Sequence, residues 1–286
     1  MQDPYYDEIM KLDGVTDIKR IVNQWRFLSK NLESSGNELP ILLPNMLWIS
    51  KPGIGKTSLL KLISEFLYNQ KNILSFNGMV RYFEFHVGYC SPNEDFSELR
   101  RLIDTIRQSA GFRGEYKGIV YLDINEWVEH EEDKHFITLL EYLAGNIDNL
   151  LIIFCIAAQN DSDTRNIERI LSMFFRIDKV ILDLPDVEIL LDYVKNHLKK
   201  YGLSLDSDSE GIIKQAIEAL CKSKDFDGYK TLNMLCRDIV YRAFAVEKPK
   251  KVITKKFASQ FSEESDYMKS TIINIKEKFA IGFRGN

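Results

Sequence analysis

The stretch "WISKPGIGKTSLL", Trp48 to Leu60, decides how the rest of the chain is read. An apolar run ends at Ser50, a glycine-rich turn follows, and beyond Lys56 the leucines fall at helical spacing. The segment therefore predicts a strand, a loop and a helix in that order. Across Pro52, Gly53, Ile54 and Gly55 the two glycines let the backbone bend and turn its N–H groups toward phosphate oxygens, and the helix that follows adds its positive N-terminal dipole. Lys56 is expected to reach the β and γ phosphates of a nucleoside triphosphate, the Thr57 hydroxyl to bind Mg2+, and Ser58 to complete the loop. Ser50 stands where such loops usually have their first glycine. Serine is small, and that position chiefly ends the strand.

Working outward, the first half alternates apolar runs with helical periodicity, the pattern of a parallel sheet covered by helices. A helix is expected at 15–33, followed by the polar, Pro-bracketed connector "SSGNELPILLP". "NMLWIS" (45–50) reads as a strand. Thr57–Asn69 reads as a helix with Leu59, Leu60, Leu62, Ile63, Phe66 and Leu67 facing inward. "VRYFEFHV" (80–87) is a second strand, and Pro92 and Asn93 break the chain before a helix at about 96–109. "GIVYLDI" (118–124) and "LLIIFCIAA" (150–158) are almost continuously apolar, as strands buried on both faces should be, and "KVILDL" (179–184) makes a fifth. After Pro185 the signal is helical, at about 186–200, 209–222 and 229–245, the last with Leu232, Leu235, Ile239 and Ala243 on one stripe. The expected architecture is a three-layer α/β/α domain with a five-stranded, mainly parallel sheet (1–185). A small all-helical domain (186–262) and a C-terminal helical tail (263–286) complete the chain.

Composition narrows the partners. Among 286 residues, 45% are hydrophobic and 28% charged, with a net charge of -4. That balance gives no electrostatic case for nucleic acid or an anionic membrane, because phosphate surfaces are bound by excess Lys and Arg. The basic segment "EKPKKVITKK" (247–256) reads as a solvated face. The longest apolar run, "LLIIFCIAA", falls short of the ~20 residues that span a bilayer, and a cytoplasmic protein is expected. Cys90, Cys155, Cys221 and Cys236 form no CxxC pair and read as reduced, mostly buried thiols. His130 and His135 lie in a charged segment expected to be solvated, and the histidines assemble no metal set.

A triphosphate loop needs a carboxylate at the tip of a neighbouring strand to hold the metal and its water shell, and "IVYLDINE" supplies Asp123. Glu126, three residues on, is the nearest base to polarise an attacking water, with Glu129 behind it.

Taken together these elements resemble an AAA+ ATPase over roughly residues 9 to 260, in the flavour of the CbbX and stage V sporulation protein K group. The likeness begins at "KLDGVTDIK", runs through "LPNMLWISKPGIGKTSLLKLISEFLY" and "GIVYLDINEW", and closes with "HLKKYGLSLD" and "FDGYKTLNMLCRDIVYRA". The resemblance implies that Gly14 and Ile18 lie beside the adenine and that the helical domain is a lid. It puts sensor 1 at the end of "CIAAQN", on Asn160 or Gln159. It makes Arg176 in "MFFRIDKV" an arginine finger donated to a neighbouring subunit's nucleotide, with Arg169 as fallback, and places Lys230 of "GYK" at sensor 2. A guanidinium at the finger position neutralises charge spreading over the transferred phosphoryl group.

Three departures from the family pattern bear on function. Ile124 follows Asp123 where the family has Glu, Ser50 replaces the first loop glycine, and "HVGYCSPNEDFSEL" is too short for the usual pore-loop insertion, leaving Tyr89 as the nearby aromatic. The expectation is an ATP- and Mg2+-dependent ATPase that works as a homo-oligomer or with a partner ATPase, and whose lid movement remodels a client protein. The alternative is a slow or non-hydrolysing, nucleotide-gated scaffold. A clamp-loader-like nucleic-acid loader is the third reading, opposed by the acidic balance.

Overall fold

The computed structural model describes residues 3–36, 43–51, 53–70, 72–76, 81–89, 97–110, 117–145, 150–157, 161–223, 226–247, 249 and 251–262. The chain divides into two compact units, one of Met1–Lys51 with Lys56–Asp183 and one of Pro52–Gly55 with Leu184–Asn286.

The first unit opens with α1 (Pro4–Lys11) and α2 (Thr16–Ser35). It continues through β1 (Asn45–Ser50), α3 (Lys56–Asn69), β2 (Tyr82–His86), α4 (Ser97–Ala110), β3 (Gly118–Asp123), α5 (Lys134–Ala144), β4 (Leu150–Ile156), α6 (Asp161–Ser172) and β5 (Ile177–Leu182). The sheet order is β2-β3-β4-β1-β5 and every pairing is parallel. Helix α1, absent from the sequence reading, is started by Asp3, whose carboxylate accepts from the Tyr5 and Tyr6 N–H groups. It packs on α3. Strand β1 matches the sequence reading residue for residue. β5 begins two residues earlier than expected, because Ile177 and Asp178 pair with Asn45 and Met46.

Strand alternation gives the sheet two unlike faces. Leu47, Ile49, Val120, Leu122, Ile152, Phe154 and Ile156 form one core with Ile106, Leu139, Leu140 and Ile167 of the covering helices. Met46, Trp48 and Ser50, Tyr121 and Asp123, and Ile153 and Cys155 alternate with these and take the other face, apolar at its start and polar at its C-terminal end.

The second unit holds α7 (Val187–Lys199), α8 (Ser207–Lys222), α9 (Gly228–Phe244) and α10 (Lys255–Ala258). Its core includes Leu191, Val194, Ile217 and Phe261 together with the predicted stripe of Leu232, Leu235, Ile239 and Ala243. Asp206 caps α8 by accepting the Ser209 N–H at 2.7 Å. To the helices the structure adds a two-residue parallel pair, β6 (Ser204–Leu205) with β7 (Val252–Ile253). That pair corrects the reading of "EKPKKVITKK" as wholly solvated, since Ile253 is buried.

The segment before α5 also departs from expectation. His130 is exposed, but Glu131 and His135 are buried. His135 bonds Asp133, the N-cap of α5, and the next residue, Phe136, stacks on Trp127 with ring centroids 5.3 Å apart. Burying these two aromatics draws the charged turn over the core.

Candidate nucleotide site

The phosphate-type loop leaves the C-terminal end of β1. Gly53 and Gly55 take φ of +74° and +86°, a region that residues with a Cβ avoid, and Lys56 opens α3. This is the backbone that a loop wrapping phosphates requires, and it ends on the N-terminus of a helix fourteen residues long. Thr57 and Ser58 are exposed at that first turn. Within the second unit the Gly53 carbonyl accepts the Tyr229 N–H at 2.9 Å, and a Cβ on Gly53 or Gly228 would collide with the other segment's backbone. Two glycines are thus needed for one close approach.

Asp123 ends β3, with β4 between it and β1. Its Oδ1 accepts the Asn125 N–H at 3.1 Å. The Asn125 side chain in turn accepts the Ala157 N–H at 2.9 Å, fastening the turn after β3 to the end of β4. Thr57 Oγ1 lies 3.4 Å from the Glu84 carboxylate on β2. Hydroxyl and carboxylate oxygens are the donor types that Mg2+ prefers. Among the described residues no three His, Cys, Asp or Glu side chains form a metal cage.

Glu126 sits on a single 3-10 turn, Asn125–Trp127, after the buried Ile124. Its Oε2 accepts the Tyr89 N–H at 3.0 Å, and its Oε1 lies 2.8 Å from His86 Nε2. The Tyr89 N–H bond first, then the His86 interaction, holds the Glu126 carboxyl below the usual range, so it is ionised at neutral pH. His86 is in register with Asp123 across β2 and β3, and its Nδ1 lies 3.9 Å from Asp123 Oδ2. The imidazole thus spans the two acids. Tyr89 packs against Trp127 and stacks on His130 at 4.1 Å.

Gly14 (φ +74°) gives its carbonyl to the Asp183 N–H at 3.0 Å, and Ile18 is fully buried, packed in the protein interior. Asp17, between them, accepts the Ile181 N–H at 3.1 Å. Arg176 is exposed and precedes β5, at the end of the sheet opposite the loop, and lines a cleft of about 430 Å³ with Arg20, Trp25 and Asp178. Ile177 pairs with Asn45 and Leu182 with Ser50, so six strand steps, roughly 20 Å at ~3.3 Å each, separate Arg176 from the level where its own loop starts. Arg169 is paired with Glu132, and Glu129 is exposed with φ +75°. Lys230 is exposed and holds Asp227 at 3.0 Å. Pro52, Gln159 and Asn160 lie outside the described residues, as do Cys90 and the tail 263–286. The structure therefore gathers Thr57, Asp123 and Glu126 toward one end of the sheet, adds His86, Glu84 and Asn125, and leaves Arg176 at the other end.

His86, Glu84 and Asn125 were missed by sequence reasoning. The available signal was the alternation of "EFH", which puts Glu84 and His86 on one side of β2. Their proximity to Asp123 depends on strand order.

No protein family profile matches the sequence, and no curated protein matches it. Solved structures do. Three mutant forms of RuvB from Thermotoga maritima align with 93% of this chain and 78–79% of their own, with TM-scores of 0.51–0.53 and 14–15% identity. Identity at that level speaks to the fold, and the five-stranded parallel sheet with its loop after β1 is a P-loop fold.

Proposed function

We propose that the chain binds ATP with Mg2+ at the Gly53–Thr57 loop and works as an AAA+ ATPase that remodels a partner protein, assembled with copies of itself or with a related ATPase. The observation that carries this reading is the pair of positive-φ glycines leading into Lys56 at a helix N-terminus, with Asp123 one strand removed. The closer likeness to the CbbX group, carried by the opening helix and the "GYK" segment, belongs to the same proposal.

Lys56 meets the β and γ phosphates. Thr57 and Asp123, with Glu84 in support, hold Mg2+, which draws charge from the phosphate oxygens when bound. Glu126, already ionised and fixed by two contacts, orients the attacking water and takes its proton. Arg176 acts in trans, because its own loop lies far from it, and Gln159 or Asn160 serves as sensor 1. Gly14 and Ile18 frame the base through backbone and packing, and Lys230, released from Asp227, meets the γ phosphate as the lid moves.

A titration of the purified chain with Mg·ATP tests the core of this reading. Wild type binds. Lys56→Ala loses binding while keeping its circular dichroism and melting profile, because the loop edge is not core. Undiminished affinity in the variant would move the nucleotide site elsewhere.

A scaffold that holds ATP without turning it over is the second reading. It is supported by Ile124, buried where the family has Glu, and by the engagement of Glu126 with Tyr89 and His86. Steady-state phosphate release across protein concentrations separates the two: bound ATP with no release at any concentration selects the scaffold.

A further inference from the structure

Ser50, where related loops have glycine, is 2% exposed, and its Oγ lies 3.8 Å from Cys155 Sγ. Cys155 is 1% exposed, and Tyr121, itself 6% exposed, lies close enough to bear on its ionisation. The three side chains share the polar end of one sheet face and link β1, β4 and β3. Strand β1 runs directly into the loop and on to Thr57. Strand β3 delivers Asp123, which is in register with Cys155, and the Ile124 N–H just beyond it donates to the Cys155 carbonyl at 3.0 Å. Cys155 is thus where both halves of a metal–phosphate site are tied together. The Lys56 ammonium lies near enough to act on the thiol, countering in part the burial that raises its pKa.

We propose that the Ser50 hydroxyl is a positioning group which, through Cys155 and Tyr121, sets the spacing between Thr57 and Asp123, so that restoring glycine at position 50 weakens the Mg2+-nucleotide site. This rests on the reading of the loop as an ATP site. A buried hydroxyl is retained at a cost unless it is bonded, and here its partner is the thiol at the junction. Glycine deletes that bond and adds backbone freedom at the strand end where the loop begins. Losing one neutral hydrogen bond corresponds to about a two- to tenfold change in an equilibrium.

The test measures ATP affinity with Mg2+ and with EDTA for the full chain and for Ser50→Gly, Ser50→Ala, Ser50→Thr, Cys155→Ala and the double variant Ser50→Ala/Cys155→Ala. The ratio of the two affinities is the readout, because a general loosening of the fold lowers both alike, whereas a lost Thr57–Asp123 spacing lowers only the Mg2+ contribution. Expected is a two- to tenfold smaller ratio for glycine and alanine, no additional loss in the double variant, and recovery with threonine, which keeps the hydroxyl. If glycine destabilises the fold, alanine carries the comparison. A ratio in Ser50→Gly and Ser50→Ala equal to or above wild type overturns the proposal while leaving the ATP reading in place, and so do additive losses in the double variant. Failure of wild type to bind ATP at all overturns the ATP reading and this proposal with it.

Discussion

Glu126 does not occupy the strand that carries Asp123. It hangs from the turn after it, its carboxylate held by the Tyr89 N–H and by His86, whose other ring nitrogen faces Asp123. A base displaced from its strand depends on what holds it. We therefore expect Glu126→Gln to keep Mg·ATP bound while phosphate release falls at least ~100-fold, the scale of a lost general base. His86→Ala, which frees the carboxylate without removing it, should keep binding and lower turnover less than Glu126→Gln does. Release and affinity measured on the same preparations check both. Normal turnover in Glu126→Gln would pass the role to Glu129 or to a residue of a partner.

Between β3 and α5 the backbone makes one costly move. Glu129 is the one non-glycine described residue with positive φ, at +75°. A Cβ in that region costs roughly 1–2 kcal/mol, and glycine's larger unfolded-state entropy returns about 0.5–1 kcal/mol of the relief. Glu129→Gly should therefore stabilise the fold by about 0.5–1 kcal/mol, seen as a higher urea midpoint at unchanged m-value. The turn holds this shape because both of its flanks are fastened. Trp127 and Phe136 are fully buried on either side, and Asn125 bonds the end of β4. If Glu126 rather than Glu129 serves the water, the same substitution leaves turnover unchanged.

For the molecule as a whole, Arg176 is the residue whose position bears most on assembly. It stands at the N-terminal end of β5, while the loop stands at the C-terminal end of β1 in the same sheet, so in a single copy the guanidinium lies far from its own loop. Arg176→Ala should bind ATP nearly as wild type does and lose turnover, by up to the roughly 10³–10⁵ that fingers supply in trans. Wild-type specific activity should rise with protein concentration as interfaces form. Turnover that is independent of concentration and indifferent to the substitution removes Arg176 from the mechanism. Mass in solution with and without Mg·ATP gives the same answer from the assembly side.

The sequence alone carried much of what has a local period or a local steric rule, though not the short helix α1. Strand, loop and helix around Gly53–Lys56 were legible because glycine spacing and leucine periodicity act within a few residues. So were β1, the buried stripe of α9, and Asp123 as the acid at a strand tip. Which strands lie side by side was set by packing across the whole sheet. Parallel neighbours are joined by long crossovers and leave no local mark, so the order β2-β3-β4-β1-β5 could not be read from any one segment. That order puts His86 beside Asp123, seats Cys155 between Ser50 and Tyr121, and carries Arg176 to the far end of the sheet. The burial of Glu131 and His135 has the same origin. Their charged segment reads as solvated until the burial of Trp127 and Phe136 pulls the turn over the core.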